Sequence, residues 1–215
     1  MKETDTLSQE NNLELAINAI RSGEVVGIPT ETVYGIGVDP YSQTAVDKIF
    51  SLKERSEKKP LSILISSFHE IQKLNVTTLI PDVVELYWPG PLTIIVETSN
   101  DFANGVGTKE PSSIGVRVPE NELAINLLKQ TGPLAVTSAN ISGEEDFTSD
   151  EQAREAFGEK ISHYLSGESL HGNGSTVVDL RVDGGEVLRQ GPLKWPPSYC
   201  LSLIHISEPT RLQDI

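Results

Sequence analysis

Thr44-Ala45-Val46-Asp47-Lys48-Ile49-Phe50-Ser51-Leu52-Lys53-Glu54-Arg55-Ser56-Glu57-Lys58-Lys59-Pro60-Leu61-Ser62-Ile63-Leu64-Ile65 changes its hydrophobic period midway. Val46, Ile49 and Phe50 recur at helical spacing behind a start signal formed by Thr44 and Asp47, and the pattern stops near Leu52. Leu61 to Ile65 is a short apolar run behind Pro60 and reads as a buried strand. Between them Lys53, Arg55, Lys58 and Lys59 fall within seven residues of a chain whose formal net charge is -14. Connecting loops on a rigid scaffold often carry binding residues. Taken alone, the segment is either a solvated charged loop or one wall of an anion site.

The same alternation extends in both directions. Upstream, Leu13, Ala16, Ile17 and Ile20 mark a helical face, with Asn12 as its cap and Gly23 as its stop, followed by a strand from Val25 to Ile28. Downstream, Ser67 and Pro81 open short helices, and Leu92 to Val96 and Ile114 to Val118 read as strands separated by a loop from Asn104 to Ser113. A helix is expected from Glu122 to Lys129, then a strand from Leu134 to Val136. Ser149 with Gln152 caps a helix that runs to Phe157 and closes at Gly158. A hairpin of Thr176–Leu180 and Glu186–Leu188 turns at Asp183-Gly184-Gly185. Interleaved helices and strands predict an α/β or α+β single domain on a twisted mixed sheet with flanking helices, its ligand cleft at strand ends.

Composition narrows the function. The 215 residues suffice for one sizeable core, and no run approaches the roughly eighteen apolar residues of a membrane span. Met1 to Asn12 is polar, unlike a secretory or transit segment, so a cytoplasmic location is expected. A single cysteine, Cys200, excludes an internal disulfide framework. The acidic balance disfavours nonspecific nucleic-acid binding, which draws its affinity from Lys and Arg on phosphates, but a local cationic concavity can hold a nucleotide.

Neither a P-loop nor a Gly-x-Gly-x-x-Gly fingerprint occurs, and His69, His163, His171 and His205 lack metal-ligand spacing, so no metal site is expected. Two polar runs leave strand ends instead. Pro29-Thr30-Glu31-Thr32-Val33-Tyr34-Gly35-Ile36-Gly37 offers hydroxyls and glycines at close range, and Ser138-Ala139-Asn140-Ile141-Ser142-Gly143 does the same. Each is also compatible with a turn that satisfies its own backbone. Arg117 stands in an apolar strand, where an unpaired charge is costly. It either meets an internal carboxylate or waits for an anionic ligand.

Together these segments resemble the YrdC-type threonylcarbamoyl-AMP synthase family, in its short single-domain form, over roughly Leu13 to Pro192. Lys53 and Arg55 match its Lys-x-Arg signature, Ser138 and Asn140 its Ser-x-Asn, and Pro29 to Gly35 its early Pro-Thr-x-Thr-x-Tyr-Gly. Gly174 to Asp179 and Leu188 to Gly191 match its late motifs. The resemblance implies a YrdC-like catalytic domain over residues 9–194 that condenses L-threonine, bicarbonate and ATP to threonylcarbamoyl-adenylate and pyrophosphate, with Mg2+ accompanying ATP. The product would serve a downstream tRNA threonylcarbamoyl-transferase complex, with weak or no direct tRNA binding. By position the resemblance puts Thr32, Arg117, Ser138 and Ser175 on threonine. It puts Lys53, Arg55, Lys59, Ser113, Asn140, Thr148 and Arg189 on the nucleotide, with Lys53 and Arg55 as the catalytic cations at the phosphates and Lys58 a solvated surface charge. Some members have a histidine where Leu64 stands, and longer members add a second domain that closes over the site.

Two other readings share the resemblance: a noncatalytic RNA-binding or ribosome-maturation factor, and a carbamoyl-transfer domain like that of hydrogenase maturation. Residues 195–215 lie beyond the matched motifs; they read as a terminal strand, a disordered tail or non-native sequence, and carry no assigned function.

Overall fold

Short β-rich runs pair into a sheet here because nearly every strand has apolar residues on at least one face of its pleat. The computed structural model describes residues 2–54, 59–141, 143–170 and 172–195. Strands β1 (Val26–Ile28), β2 (Gly35–Val38), β3 (Ser62–Leu64), β4 (Leu92–Glu97), β5 (Thr108–Lys109), β6 (Ser112–Arg117), β7 (Leu134–Ser138), β8 (His163–Tyr164), β9 (Thr176–Asp179) and β10 (Glu186–Arg189) form one mixed sheet. Its order is β10-β9-β4-β6-β3-β7-β2-β1-β8, with β5 pairing β6. The pairs β1–β8, β3–β6 and β4–β9 are parallel and the others antiparallel. This is the expected twisted mixed sheet with flanking helices.

Four α-helices belong to the described residues: α1 (Lys2–Arg21), α2 (Gln43–Lys53), α3 (Glu122–Thr131) and α4 (Asp150–Phe157). None is long and apolar enough to cross a membrane. On one face of the sheet, Ala45, Val46 and Ile49 of α2 and Ala153 and Phe157 of α4 meet Ile36, Val38, Leu92, Ile94, Val96, Ile114 and Val116. On the other, Ala16 and Ile20 of α1 and Ala124, Leu127 and Leu128 of α3 cover Val26, Ile28, Leu64 and Leu134. That second layer stops at β3. Beyond it, the same face of β6, β4 and β9 carries Arg117, Thr93, Ile95, Ser175 and Val177, which line a cavity.

Local details depart from the sequence expectations where a neighbouring polar residue makes the better contact. Asn12 lies inside α1, and its Oδ1 meets His163 Nε2 at 2.5 Å. Ser42, not Thr44, caps α2 by accepting from the Ala45 amide. Ser67 makes no capping bond, and the segments after Ser67 and Pro81 are 3-10 helices, Phe68–Leu74 and Asp82–Tyr87. Asn121 and Ser149 cap α3 and α4, but the Gln152 side chain accepts from Thr148 N at 2.7 Å, one residue before the capping box requires. Gly35 and Gly37 are strand residues, not loop. A Cβ on Gly37 would lie 2.7 Å from Ile28 Cδ1, so this glycine serves strand packing rather than a ligand. β5 interrupts the expected Asn104–Ser113 loop.

Candidate active site

The uncovered half of the sheet face encloses about 460 Å3, ordinary for a small-ligand site. Three strand ends feed it. The turn after β1 contributes Thr30, Thr32 and Val33, β7 delivers Thr137 and Ser138, and the approach to β9 brings Gly174 and Ser175. Lys59 and Pro60, from the end of the cationic segment, form another wall, with Asp146 and Arg189.

Arg117 settles one question left open by the sequence. Its Nη2 donates to Glu31 Oε1 at 2.5 Å, its Nη1 to Thr32 Oγ1 at 2.8 Å and its Nε to Gly90 O at 3.1 Å. Glu31 is 3 % exposed, and its second oxygen accepts from the Glu120 amide. The internal carboxylate is therefore present, yet Arg117 also reaches the cavity. Burial pulls its pKa down and the Glu31 carboxylate opposes that shift. A guanidinium remains charged in proteins, and with five N–H donors it has two beyond the three bonds above, enough for a ligand carboxylate.

At the β9 side, Ser175 Oγ lies 2.7 Å from Thr93 Oγ1 and accepts from Arg189 Nη2 at 3.3 Å, while Arg189 Nε donates to the Ser175 carbonyl at 3.0 Å. Whichever hydroxyl donates in the Thr93–Ser175 pair, one hydroxyl proton is left for a ligand. Gly174 makes room for this cation: a Cβ there would lie 2.9 Å from Arg189 Nη2. Burial lowers the Arg189 pKa, opposed by the charge of Asp146.

Lys53 is 1 % exposed, and Ser138 O, Asn140 O and Asn140 Oδ1 (the last at 3.0 Å) accept from its ammonium. Ser138 Oγ donates to Asn140 Oδ1 at 2.6 Å, and Asn140 Nδ2 donates to Glu144 O at 2.6 Å. Ser113 is buried between Thr108 Oγ1 at 2.8 Å and Arg181 Nη1 at 3.2 Å, with Arg181 itself clamped on Asp179. Thr148 turns toward Gln152.

Of the residues singled out by motif, the structure thus gathers Thr32, Arg117, Ser138, Ser175, Lys59 and Arg189 around one cavity. Lys53, Asn140, Ser113 and Thr148 are not among the lining residues. Arg55, Lys58, His171, Cys200 and residues 196–215 lie outside the described residues. Trp195, which the sequence reading placed in the tail, packs near Tyr87 and donates to Gly184 O. Sequence reasoning gave Glu31 and Thr30 no individual role although both lie in the Pro29–Gly37 run, and it missed Thr93 and Asp146 altogether. Glu31 had a further signal, since a buried arginine calls for an acid. Among the described residues no cluster of three or more His, Cys, Asp or Glu side chains could hold a metal ion.

Comparison with known proteins adds independent observations. Residues 18–191 match the model of the Sua5/YciO/YrdC family, described as telomere recombination. A Vibrio vulnificus protein called threonylcarbamoyl-AMP synthase is 33% identical over 187 residues, 84% of this chain and 99% of that protein. One of the same name from Pyrococcus abyssi is 37% identical over 191 residues, 86% of this chain and 55% of that protein. The crystal structure of P. abyssi Sua5 complexed with L-threonine superposes with a TM-score of 0.76 at 36% identity, covering 84% of this chain and 54% of the other. Escherichia coli YciO, 23% identical, shares the fold with a TM-score of 0.75 over 86% of this chain and 91% of its own.

Proposed function

The chain belongs to the Sua5/YciO/YrdC family, and we propose from that premise that it is a threonylcarbamoyl-AMP synthase, a nucleotidyltransferase that joins L-threonine, bicarbonate and ATP. The carrying observation is that Thr32, Arg117, Ser138, Ser175, Lys59 and Arg189, drawn from separate motifs, meet in one cavity.

In this reading residues 9–194 are the catalytic domain. The two remaining donors of Arg117 take the threonine carboxylate, and Thr32, Ser138 and the Thr93–Ser175 pair take its amine and hydroxyl. Lys59 and Arg189 face the phosphates, the motif assigns Arg55 to them as well, and Ser113, Asn140 and Thr148 support the nucleotide from behind the wall. The neutral threonine amine combines with bicarbonate to give a carbamate and water. A carbamate oxygen then attacks the α-phosphorus of ATP, and the bond to pyrophosphate breaks. Negative charge grows on the phosphate oxygens and the leaving group, where fixed cations already in place act most strongly. No side-chain nucleophile is needed, so catalysis is positioning plus electrostatics. Magnesium would come with the triphosphate as part of the substrate, a mode that suits a site without an all-protein cage, and Asp146, the carboxylate lining the cavity, would be the side chain able to hold it.

The product supplies a tRNA threonylcarbamoyl-transferase complex, and a cytoplasmic setting fits these substrates. Direct tRNA binding is weak, because the chain carries a formal charge of -14. Pyrophosphate release from ATP tests the reading: it is expected only when threonine and bicarbonate are both present. Release unchanged without threonine overturns it, and tight binding of structured RNA without turnover favours an RNA-binding factor instead.

A further inference from the structure

Hydroxyl groups do not show their hydrogens, yet their neighbours here leave only one assignment at Ser138. An ammonium can only donate, so the Asn140 side-chain atom 3.0 Å from Lys53 Nζ is the amide oxygen. The Asn140 NH2 then faces Glu144 O, a carbonyl, at 2.6 Å, which agrees. An amide oxygen can only accept, so at 2.6 Å the Ser138 hydroxyl donates its single proton to it. Both lone pairs of Ser138 Oγ remain, on a partly exposed side chain that lines the cavity.

The same reasoning applies across the cavity. Thr30 Oγ1 lies 2.7 Å from Val33 O and donates to it, so in its 3.0 Å contact with Thr32 the proton belongs to Thr32. Thr32 also accepts from Arg117 Nη1. Two cavity hydroxyls are thereby held as acceptors, whereas Arg117 and the Thr93–Ser175 pair retain donors.

We infer that Lys53 is a positioning residue that acts through Asn140 on Ser138, fixing its hydroxyl as an acceptor for the N–H of the threonine amine and of the carbamate formed from it. This rests on the synthase reading and deepens it. The Lys-x-Arg and Ser-x-Asn signatures are one relay on this view. Lys53 sets the Asn140 amide, Asn140 sets the Ser138 proton, and Ser138 with Thr32 receives the amine while Arg117 takes the carboxylate.

The relay separates from a phosphate role by which substrate loses affinity. In steady-state pyrophosphate release, Lys53→Met is expected to raise the KM for threonine about tenfold, the size of one polar contact, with the KM for ATP changed less than about threefold. Asn140→Leu is expected to reproduce the rise in the threonine KM independently. In a Ser138→Ala background, Lys53→Met should add less than about twofold to the threonine KM, because the group it acts through is gone. Calorimetric titration of L-threonine into each protein, with folding checked by circular dichroism, reads the same loss without ATP. A rise in the ATP KM with threonine affinity intact in either single variant overturns the inference, as does full additivity with Ser138→Ala. If the unmutated protein releases no pyrophosphate in response to threonine, the synthase reading fails first. The calorimetric arm then still decides the relay, and absence of threonine binding to the unmutated protein overturns both.

Discussion

One face of the sheet has two halves that share strands and pleat but not chemistry. Over β1, β7 and the near side of β3, helices α1 and α3 seal Val26, Ile28, Leu134 and Leu64 against Ala16, Ile20, Leu127 and Leu128. Over β6, β4 and β9 no helix of the described residues intervenes, and Arg117, Thr93 and Ser175 take the inward positions. Ile28 and Leu64 are the seam: both pack with the covered half and also line the cavity. Burial of apolar area holds the covered half, and hydrogen-bonded charges shape the open one. A site therefore requires the fold to leave part of a buried-type sheet face without its helix.

The largest effect that distinguishes the halves is expected at Glu31. Glu31→Ala strands the Arg117 charge in a buried setting and should cost about 3 to 5 kcal/mol in urea unfolding, with threonine use lost as well. In the covered half, Leu127→Ala should cost about 2 to 5 kcal/mol by leaving a cavity under α3, but turnover per folded molecule should persist. Arg189→Ala should invert that result. It removes charge-assisted bonds of about 1.5 to 3 kcal/mol, read as a rise of tenfold or more in the KM for ATP, with a smaller change in unfolding. Asn121→Ala, which uncaps α3, should cost only about 1 kcal/mol and leave both substrate KM values alone.

The smallest effect is one of pH, at the edge of the covered half. Burial lowers the His163 pKa, so the unfolded chain binds that proton more readily than the folded one. Stability should then fall as pH drops below about 6.5, the unfolded value, toward the lower folded value. His163→Gln should flatten that slope in urea melts, and an unchanged slope would assign the dependence to other groups.

The sequence made the covered half far more legible than the open one. Helical spacing at Leu123, Leu127 and Leu128 and the stop at Gly132-Pro133 are local signals, and α3 ends within two residues of the expected Glu122 to Lys129. Strands β5 and β8 have only two residues each and leave no period to read. The open half depends on long-range partners. Nothing local to Arg117 says that Glu31, 86 positions away, will meet it, or that Thr93 will stand beside Ser175. The family resemblance supplied positions for Thr32, Ser138, Ser175 and Arg189, and the structure supplied what each one touches. Lys53 shows the difference best: a cation in a charged loop by sequence, and by structure a 1 % exposed ammonium inside the Ser138–Asn140 turn.

Amide hydrogen exchange, with and without L-threonine plus a non-hydrolysable ATP analogue, tests most directly whether the open half is the reaction site. The account predicts new protection in Thr30–Val33, β4, the Ser138–Asn140 turn and the start of β9, with α1 and α3 unchanged. Protection confined to α1 and α3, or none in the cavity segments at saturating ligand, would contradict it.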